Sequence, residues 1–182
     1  MLGQKLSVLR RGSPILTLFL VGVQLFMSAG PKRIVIVRHA EKPASAVPHL
    51  ALRGRMRATG LAKLLPKIVN PDFVFASTST KHSQRPYETI RLTADKLGLD
   101  VSTVYADKEI KRIVKDLRKK KFKGKTVLIC WHHGQMPKLI HALGYAPPYD
   151  KWPEELFDRI ISIDADGIKN LPQRLLFGDT PE

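Results

Sequence analysis

The sequence contains a single cysteine, Cys130, among its 182 residues. A lone cysteine excludes an intramolecular disulfide and any zinc site built from several cysteines. Cys130 lies within an apolar run, residues 126–131. We therefore expect its thiol to be buried and unreactive.

Acidic residues are scarce, because 16 Asp and Glu stand against 31 Lys and Arg, which gives a net charge of +15. Such a surface attracts anions such as phosphorylated metabolites, nucleic acid or acidic lipid, and charge alone does not choose among them. The basic segment 108–125 keeps one apolar stripe and predicts a lysine-rich helix with a solvated face. No aromatic residue interrupts the basic cluster 118–121 to stack on bases, so we do not expect nucleic acid as a partner.

The N-terminus has the three parts of a secretory signal. Basic residues Lys5, Arg10 and Arg11 precede an apolar run, 14–27, and small residues follow at 28–30. The run is shorter than the roughly 20 residues of a comfortable membrane span. This pattern predicts cleavage near Gly30, with an uncleaved membrane anchor over residues 1–30 as the alternative. We expect an exported protein, periplasmic or secreted, that meets a membrane only if the segment stays attached.

No internal repeat or low-complexity linker divides the remainder, residues 31–182, whose length suits one domain. Four β-branched residues at 34–37 predict a buried strand that ends at Arg38 and His39. Residues 126–131 predict a second such strand, which ends at His132 and His133. Because ligands bind beyond the carboxyl ends of parallel strands, both pairs mark a candidate site.

Strands alternate with helices along the rest of the chain. We predict helices over 54–68, 85–97 and 136–143, strands over 72–77 and 100–105, and a hairpin of 159–164 with 167–177. The first helix would bury Met56, Leu61, Leu64, Leu65 and Ile68. The pattern indicates an α/β fold of three layers, α/β/α, with a mostly parallel central sheet and the C-terminal hairpin at its edge.

This topology brings Arg38, His39, Arg85 and one of the two later histidines to one rim of the sheet. Arg85 stands at a helix start, where anions are favoured. A neutral histidine is a good nucleophile toward phosphorus, and transfer to histidine and then to water replaces one hard step by two easier ones. Arginines supply the fixed positive donors that a transferring phosphoryl group needs.

The segment 38–42 resembles the Arg-His-Gly/Ala motif of the histidine phosphatase superfamily, which includes phosphoglycerate mutases and small phosphohistidine phosphatases. Three further segments resemble that family in the same order: Leu50 to Ala58 its first-helix pattern, Arg85 to Thr89 its Arg-x-x-Gln/Glu-Thr motif, and Val127 to Gly134 its second histidine strand. The resemblance covers about residues 33–177.

The resemblance implies that His39 is the phosphorylated nucleophile and that Arg38 and Arg85 bind the phosphoryl group. The second catalytic histidine is open. Counting residues along the strand favours His132, whereas a His-Gly pair favours His133, which we prefer.

The general acid is also open, because the family often places a Glu after the third strand or an Asp beside the second histidine. Here Gly134 or Gln135 occupies the latter place, whereas Asp107 and Glu109 follow the third strand and could protonate a leaving alkoxide. Glu41 belongs to the first motif and is a further candidate for substrate binding.

The resemblance implies a metal-independent phosphatase that acts through a phosphohistidine on a phosphomonoester or a phosphorylated protein residue. We expect no cofactor, and no metal, because the arginines would repel a divalent cation. The alternative is a catalytically silent relative that binds anionic lipid or nucleic acid through its basic pocket and lysine-rich helix. That alternative follows from the lack of one clear general acid.

Overall fold

The central sheet of the computed structural model, which describes residues 30–180, has six strands in the order β3-β2-β4-β1-β5-β6. The first four strands along the chain are parallel: β1 (Arg33–Arg38), β2 (Phe73–Ser77), β3 (Val101–Tyr105) and β4 (Thr126–Trp131). β5 (Arg159–Asp164) runs antiparallel to β1 and pairs with β6 (Gly167–Pro172). The mostly parallel sheet and the C-terminal hairpin at its edge are confirmed.

β1 and β4 lie side by side at the centre of the sheet, and both are apolar because both faces are covered. Successive residues of β1 enter opposite cores: Ile34 and Ile36 join one, and Val35 and Val37 join the other. Cys130, on β4, is free and fully buried, as the sequence predicts.

Four helices of the described residues cover the two faces of the sheet. α1 (Leu52–Ile68) and α2 (Arg85–Leu97) pack together on one face, whereas α3 (Ile110–Asp116) and α4 (Met136–Ala142) lie on the other. Short 3-10 turns span Lys120–Phe122 and His133–Gln135. The three-layer α/β/α architecture predicted from the sequence is therefore confirmed. No helix within residues 30–180 is long and apolar enough to cross a membrane.

The buried face of α1 differs from the predicted one. Leu61 and Leu65 are buried as predicted, but Met56 is 55% exposed and Ile68 is 40% exposed. The reason is the close approach of the helix to the loop after β1, since a Cβ on Gly54 would collide with the backbone of Glu41. This contact turns Gly54 inward and Met56 outward.

Two other segments also differ. The lysine-rich region is not one helix, because α3 ends at Asp116 and the lysines at 119–121 lie in and before the following 3-10 turn. The last strand ends at Pro172, and an irregular tail follows it. The predicted signal or anchor lies outside the described residues, apart from Gly30.

Candidate active site

The carboxyl ends of β1 and β4 bring the histidines together. The two strands pair in parallel register up to Arg38 and Trp131, and the His39 amide donates to the Trp131 carbonyl at 3.0 Å. The residues that follow are therefore neighbours. The ring centroid of His39 lies 5.1 Å from that of His132 and 6.2 Å from that of His133.

His39 is buried, with 2% of its surface exposed. Its Nδ1 lies 2.8 Å from the carbonyl oxygen of Ala40. Because a carbonyl only accepts hydrogen bonds, Nδ1 carries the proton and Nε2 keeps its lone pair. Burial lowers the pKa of His39 to about 2, and the charges of Arg38 and Arg85 add to the effect. His39 is therefore a neutral imidazole with a free Nε2 at physiological pH.

Arg38 is the last residue of β1 and is fully buried. Its Nη1 donates to the carbonyl oxygens of Pro153 and Leu156, each at 3.0 Å, and its Cζ lies 3.7 Å from the Phe157 ring centroid. Burial lowers the pKa of Arg38 to about 10, so the group stays charged near pH 7. Its Nε and Nη2 are buried without an acceptor among residues 30–180, which is unusual for charged donors and suits an anion.

Arg85 opens α2 and is partly buried. Its Nη1 donates to the Val47 carbonyl at 3.0 Å, and its Nε is buried without an acceptor in the described part of the chain. Burial lowers the pKa of Arg85. Thr89, one turn later, accepts from the Ala40 amide at 2.9 Å and donates to the Arg85 carbonyl at 2.7 Å. This hydroxyl fixes the start of α2 against the loop that carries His39.

The charged groups that act on the two candidate second histidines differ. Burial lowers the pKa of His132, and the charge of Asp107 opposes that shift. Burial lowers the pKa of His133 to about 4, with the charge of Arg38 next in effect. Both rings adjoin His39, so the preference for His133 stays a prediction, but the shorter ring distance favours His132.

The two candidate acids are placed differently. Glu109 accepts from the Ala106 amide at 2.8 Å and pairs with Arg112 at 3.0 Å, and the first of these contacts is the main cause of its lowered pKa. Its carboxylate is therefore already engaged and ionised. The backbone carbonyl of Asp107 accepts from the indole nitrogen of Trp131 at 3.0 Å, which holds Asp107 beside the end of β4. The charge of Asp107 acts on His132, whereas the carboxylate of Glu109 is held by the Ala106 amide and Arg112.

Glu41 is buried, but its carboxylate is engaged by α1. Arg57 donates to it through Nε and Nη2, and Arg53 donates through Nε at 3.1 Å. Arg57 also pairs with Asp179 of the C-terminal tail at 2.6 Å. These contacts join the loop after β1 to the tail, and the predicted substrate contact of Glu41 gains no support from them.

Sequence reasoning missed the support of Arg38. The segment after α4 supplies two backbone carbonyls and the Phe157 ring, and backbone acceptors leave no mark in a sequence. The sequence of this segment offers proline at 153 and aromatic residues at 152 and 157 as a signal.

The cluster suits an anion better than a cation. Its histidines share the site with two guanidinium groups, whose charge opposes a divalent metal. In the described part of the chain, no group of three or more His, Cys, Asp or Glu residues is arranged to hold a metal ion.

Solved structures with the same fold were found by comparison. A protein from Escherichia coli assigned as an alpha-ribazole-5'-P phosphatase matches with a TM-score of 0.54 and 17% identity, covering 78% of this chain and 95% of its own. A protein from Agrobacterium tumefaciens assigned as the phosphohistidine phosphatase SixA matches at 0.53 and 18%, covering 78% and 96%. A phosphoglycerate mutase from Bacillus anthracis matches at 0.53 and 14%, covering 80% and 94%.

No model of a known protein family matches the sequence. No curated protein is detectably similar to it. The structural matches show that the chain shares the fold of these three proteins, which agrees with the fold that the sequence resemblance implied.

Proposed function

We propose that this protein is a phosphatase that transfers a phosphoryl group to His39 and then to water, without a metal. One observation carries the proposal. A neutral, buried His39 with an unprotonated Nε2 lies beside two arginines, and Nε and Nη2 of Arg38 and Nε of Arg85 are buried without an acceptor among the described residues. A nucleophile and unpaired positive donors in one place are what phosphoryl transfer requires.

In the first step, Nε2 of His39 attacks phosphorus and the bond from phosphorus to the leaving oxygen breaks. The guanidinium groups of Arg38 and Arg85 donate to the equatorial oxygens, where negative charge is spread in the transition state. The Nδ1–H bond to Ala40 keeps the ring oriented and stabilises the positive charge that the phosphorylated imidazole gains.

The leaving alkoxide takes a proton from a general acid, and we assign this role to the carboxylic acid form of Asp107, which becomes a carboxylate in this step. The charge of the Asp107 carboxylate acts on His132. The indole of Trp131 donates to the backbone carbonyl of Asp107 and fixes its position. In the second step the same carboxylate accepts a proton from water, which attacks phosphorus and releases inorganic phosphate. His39 returns to its neutral form, so atoms and protons balance over the cycle.

We assign His132 to the opposite side of the phosphoryl group as a further donor, in place of His133, because its ring is nearer to His39. Phosphorylated small molecules and phosphorylated protein residues are the substrate classes. Similar structures support that range, since they include a protein histidine phosphatase, SixA, complexed with tungstate, at a TM-score of 0.52 and 17% identity.

We further propose that residues 1–30 direct export and that residues 31–182 form the phosphatase domain. The basic, apolar and small-residue order of the segment supports this proposal. Fractionation of expressing cells tests it: the protein is expected outside the cytoplasm, and a purely cytoplasmic protein would refute it.

Hydrolysis of p-nitrophenyl phosphate by the full chain tests the phosphatase proposal. We expect His39→Ala to abolish turnover, because it removes the proposed nucleophile. His141→Ala removes an exposed histidine of α4 and serves as the matched control, with turnover expected to match that of wild type. Wild-type turnover in His39→Ala would refute the mechanism. Absence of hydrolysis across a broad panel of phosphomonoesters would favour a silent anion-binding protein.

A further inference from the structure

Glu88 forms two contacts with the loop between β1 and α1. One carboxylate oxygen accepts from the Leu50 amide at 2.9 Å, and the other lies 2.5 Å from Nδ1 of His49. The carboxylate is 26% exposed and His49 is about half exposed, so the pair lies at the surface of the protein. Neither of these two hydrogen bonds joins Glu88 to His39, His132 or His133. The proposed reaction gives Glu88 no role.

The same loop also holds the guanidinium group of Arg85. Its Nη1 donates to the Val47 carbonyl at 3.0 Å, two residues before His49. The start of α2 adds a backbone contact, since the Gln84 amide donates to the Pro48 carbonyl at 2.9 Å. Val47, Pro48, His49 and Leu50 are therefore all tied to the first turn of α2.

We propose that Glu88 is a positioning residue, which fixes residues 47–50 so that the Val47 carbonyl orients the phosphate-binding guanidinium of Arg85. The inference rests on the proposed function, because it gives Arg85 its task. An arginine side chain has many rotamers, and one acceptor on a rigid loop selects among them. The buried Nε, for which the described residues supply no acceptor, then stays available for the phosphoryl group.

The charge of Glu88 supports the same arrangement. Burial lowers the pKa of Arg85, and Glu88 is the carboxylate whose charge opposes that shift. The Glu88 carboxylate thus acts on Arg85 in two ways. It holds the loop that carries the Val47 carbonyl, and its negative charge stabilises the guanidinium group. A carboxylate in the first turn of a helix also stabilises the helix itself, so a test must separate positioning from stability.

A double-mutant cycle makes this separation. We expect Glu88→Ala to lower kcat/KM by about 10- to 100-fold, the range expected when a phosphate-binding group is misplaced by about 1 Å. In an Arg85→Ala background the same substitution should change kcat/KM by less than about twofold, because the residue it positions is gone. Glu88→Gln keeps an oxygen that can accept from the Leu50 amide and should lie closer to wild type than Glu88→Ala.

Tungstate binding, measured by calorimetry on the same variants, keeps the cycle measurable where turnover is too slow. Asp95→Asn is the matched control, because it removes an exposed carboxylate of α2 that only faces Arg91 at 4.0 Å. It should bind tungstate and turn over substrate as wild type does. If Glu88→Ala does not fold, His49→Ala removes one of the two contacts and should show a smaller loss of the same kind.

Two results would overturn the proposal and leave the phosphatase mechanism standing. One is wild-type kcat/KM in Glu88→Ala while Arg85→Ala is impaired. The other is an equal loss from Glu88→Ala in both backgrounds, which would indicate a structural effect unrelated to Arg85. Wild-type kcat/KM in Arg85→Ala would instead refute the role of Arg85 in the proposed function, and the positioning role with it.

Discussion

The burial of neutral His39 makes the stability of the protein depend on pH, and this dependence can be calculated. An unfolded histidine has a pKa of about 6.5, whereas burial lowers the pKa of folded His39 to about 2. Between these values the unfolded chain binds a proton that the folded chain does not bind. The free energy of unfolding therefore rises with pH in this window. Conversely, it decreases as the pH falls below about 6.5.

The slope for one such proton is about 1.4 kcal/mol per pH unit. Integrated from about pH 6.5 to about pH 4.5, it removes about 2 kcal/mol of stability, since the unfolded group is already half protonated at its pKa. Both pH limits lie well above the folded pKa of His39, so the folded imidazole stays neutral over the whole window. His132 and His133 act in the same direction.

His39→Gln isolates the contribution of His39. Urea denaturation of the wild type and the variant at the two pH values gives the free energy of unfolding of each. We expect the wild type to lose about 2 kcal/mol more than the variant on acidification. The variant's constant offset cancels in this difference, as do the contributions of carboxylates and other histidines.

His141→Gln removes an exposed imidazole and is expected to keep the wild-type dependence. If wild type and His39→Gln lose the same stability between the two pH values, His39 titrates alike in the folded and unfolded chains. It would then not be the neutral, desolvated nucleophile that the mechanism needs.

Three further predictions concern packing and the thiol. Gly54→Ala should lower the free energy of unfolding by about 1–3 kcal/mol, because its Cβ would collide with backbone. Gly134→Ala has open space around its Cβ and should leave the melting temperature nearly unchanged. Equal melting temperatures of the two variants would contradict this prediction. Asp179→Ala should cost about 3 kcal/mol in urea denaturation by removing a buried partner of Arg57, and wild-type stability would show the pair to be dispensable. Cys130→Ala should keep kcat, because burial raises the pKa of that thiol; a folded but inactive variant would refute an inert thiol.

The sheet could be predicted from the sequence because its central strands are buried on both faces. β1 and β4 are short apolar runs bounded by basic and polar residues. Such runs are typical of strands that are buried on both faces of a parallel sheet. Because the carboxyl ends of parallel strands meet at one rim of the sheet, the strand order alone predicts that Arg38, His39, His132 and His133 lie there. It does not predict the distances between them.

Features set by contacts between distant segments could not be predicted. Met56 has the spacing of a core residue, but the approach of Gly54 to the loop after β1 rotates α1 and exposes it. Arg38 is held by backbone carbonyls of Pro153 and Leu156, more than 100 residues later. The preference for His133 was based on the His-Gly pair in the sequence. The ring distances to His39 depend instead on how the chain turns after Trp131.

The central claim is a covalent phosphohistidine at His39, and trapping that intermediate tests it most directly. The full chain is incubated with a radiolabelled aryl phosphate and quenched in base, where phosphohistidine survives, and a second sample is treated with acid, which removes it. We predict base-stable, acid-labile label on wild type and on His141→Ala, and none on His39→Ala. Label that persists in His39→Ala, or that withstands acid, would contradict the claim.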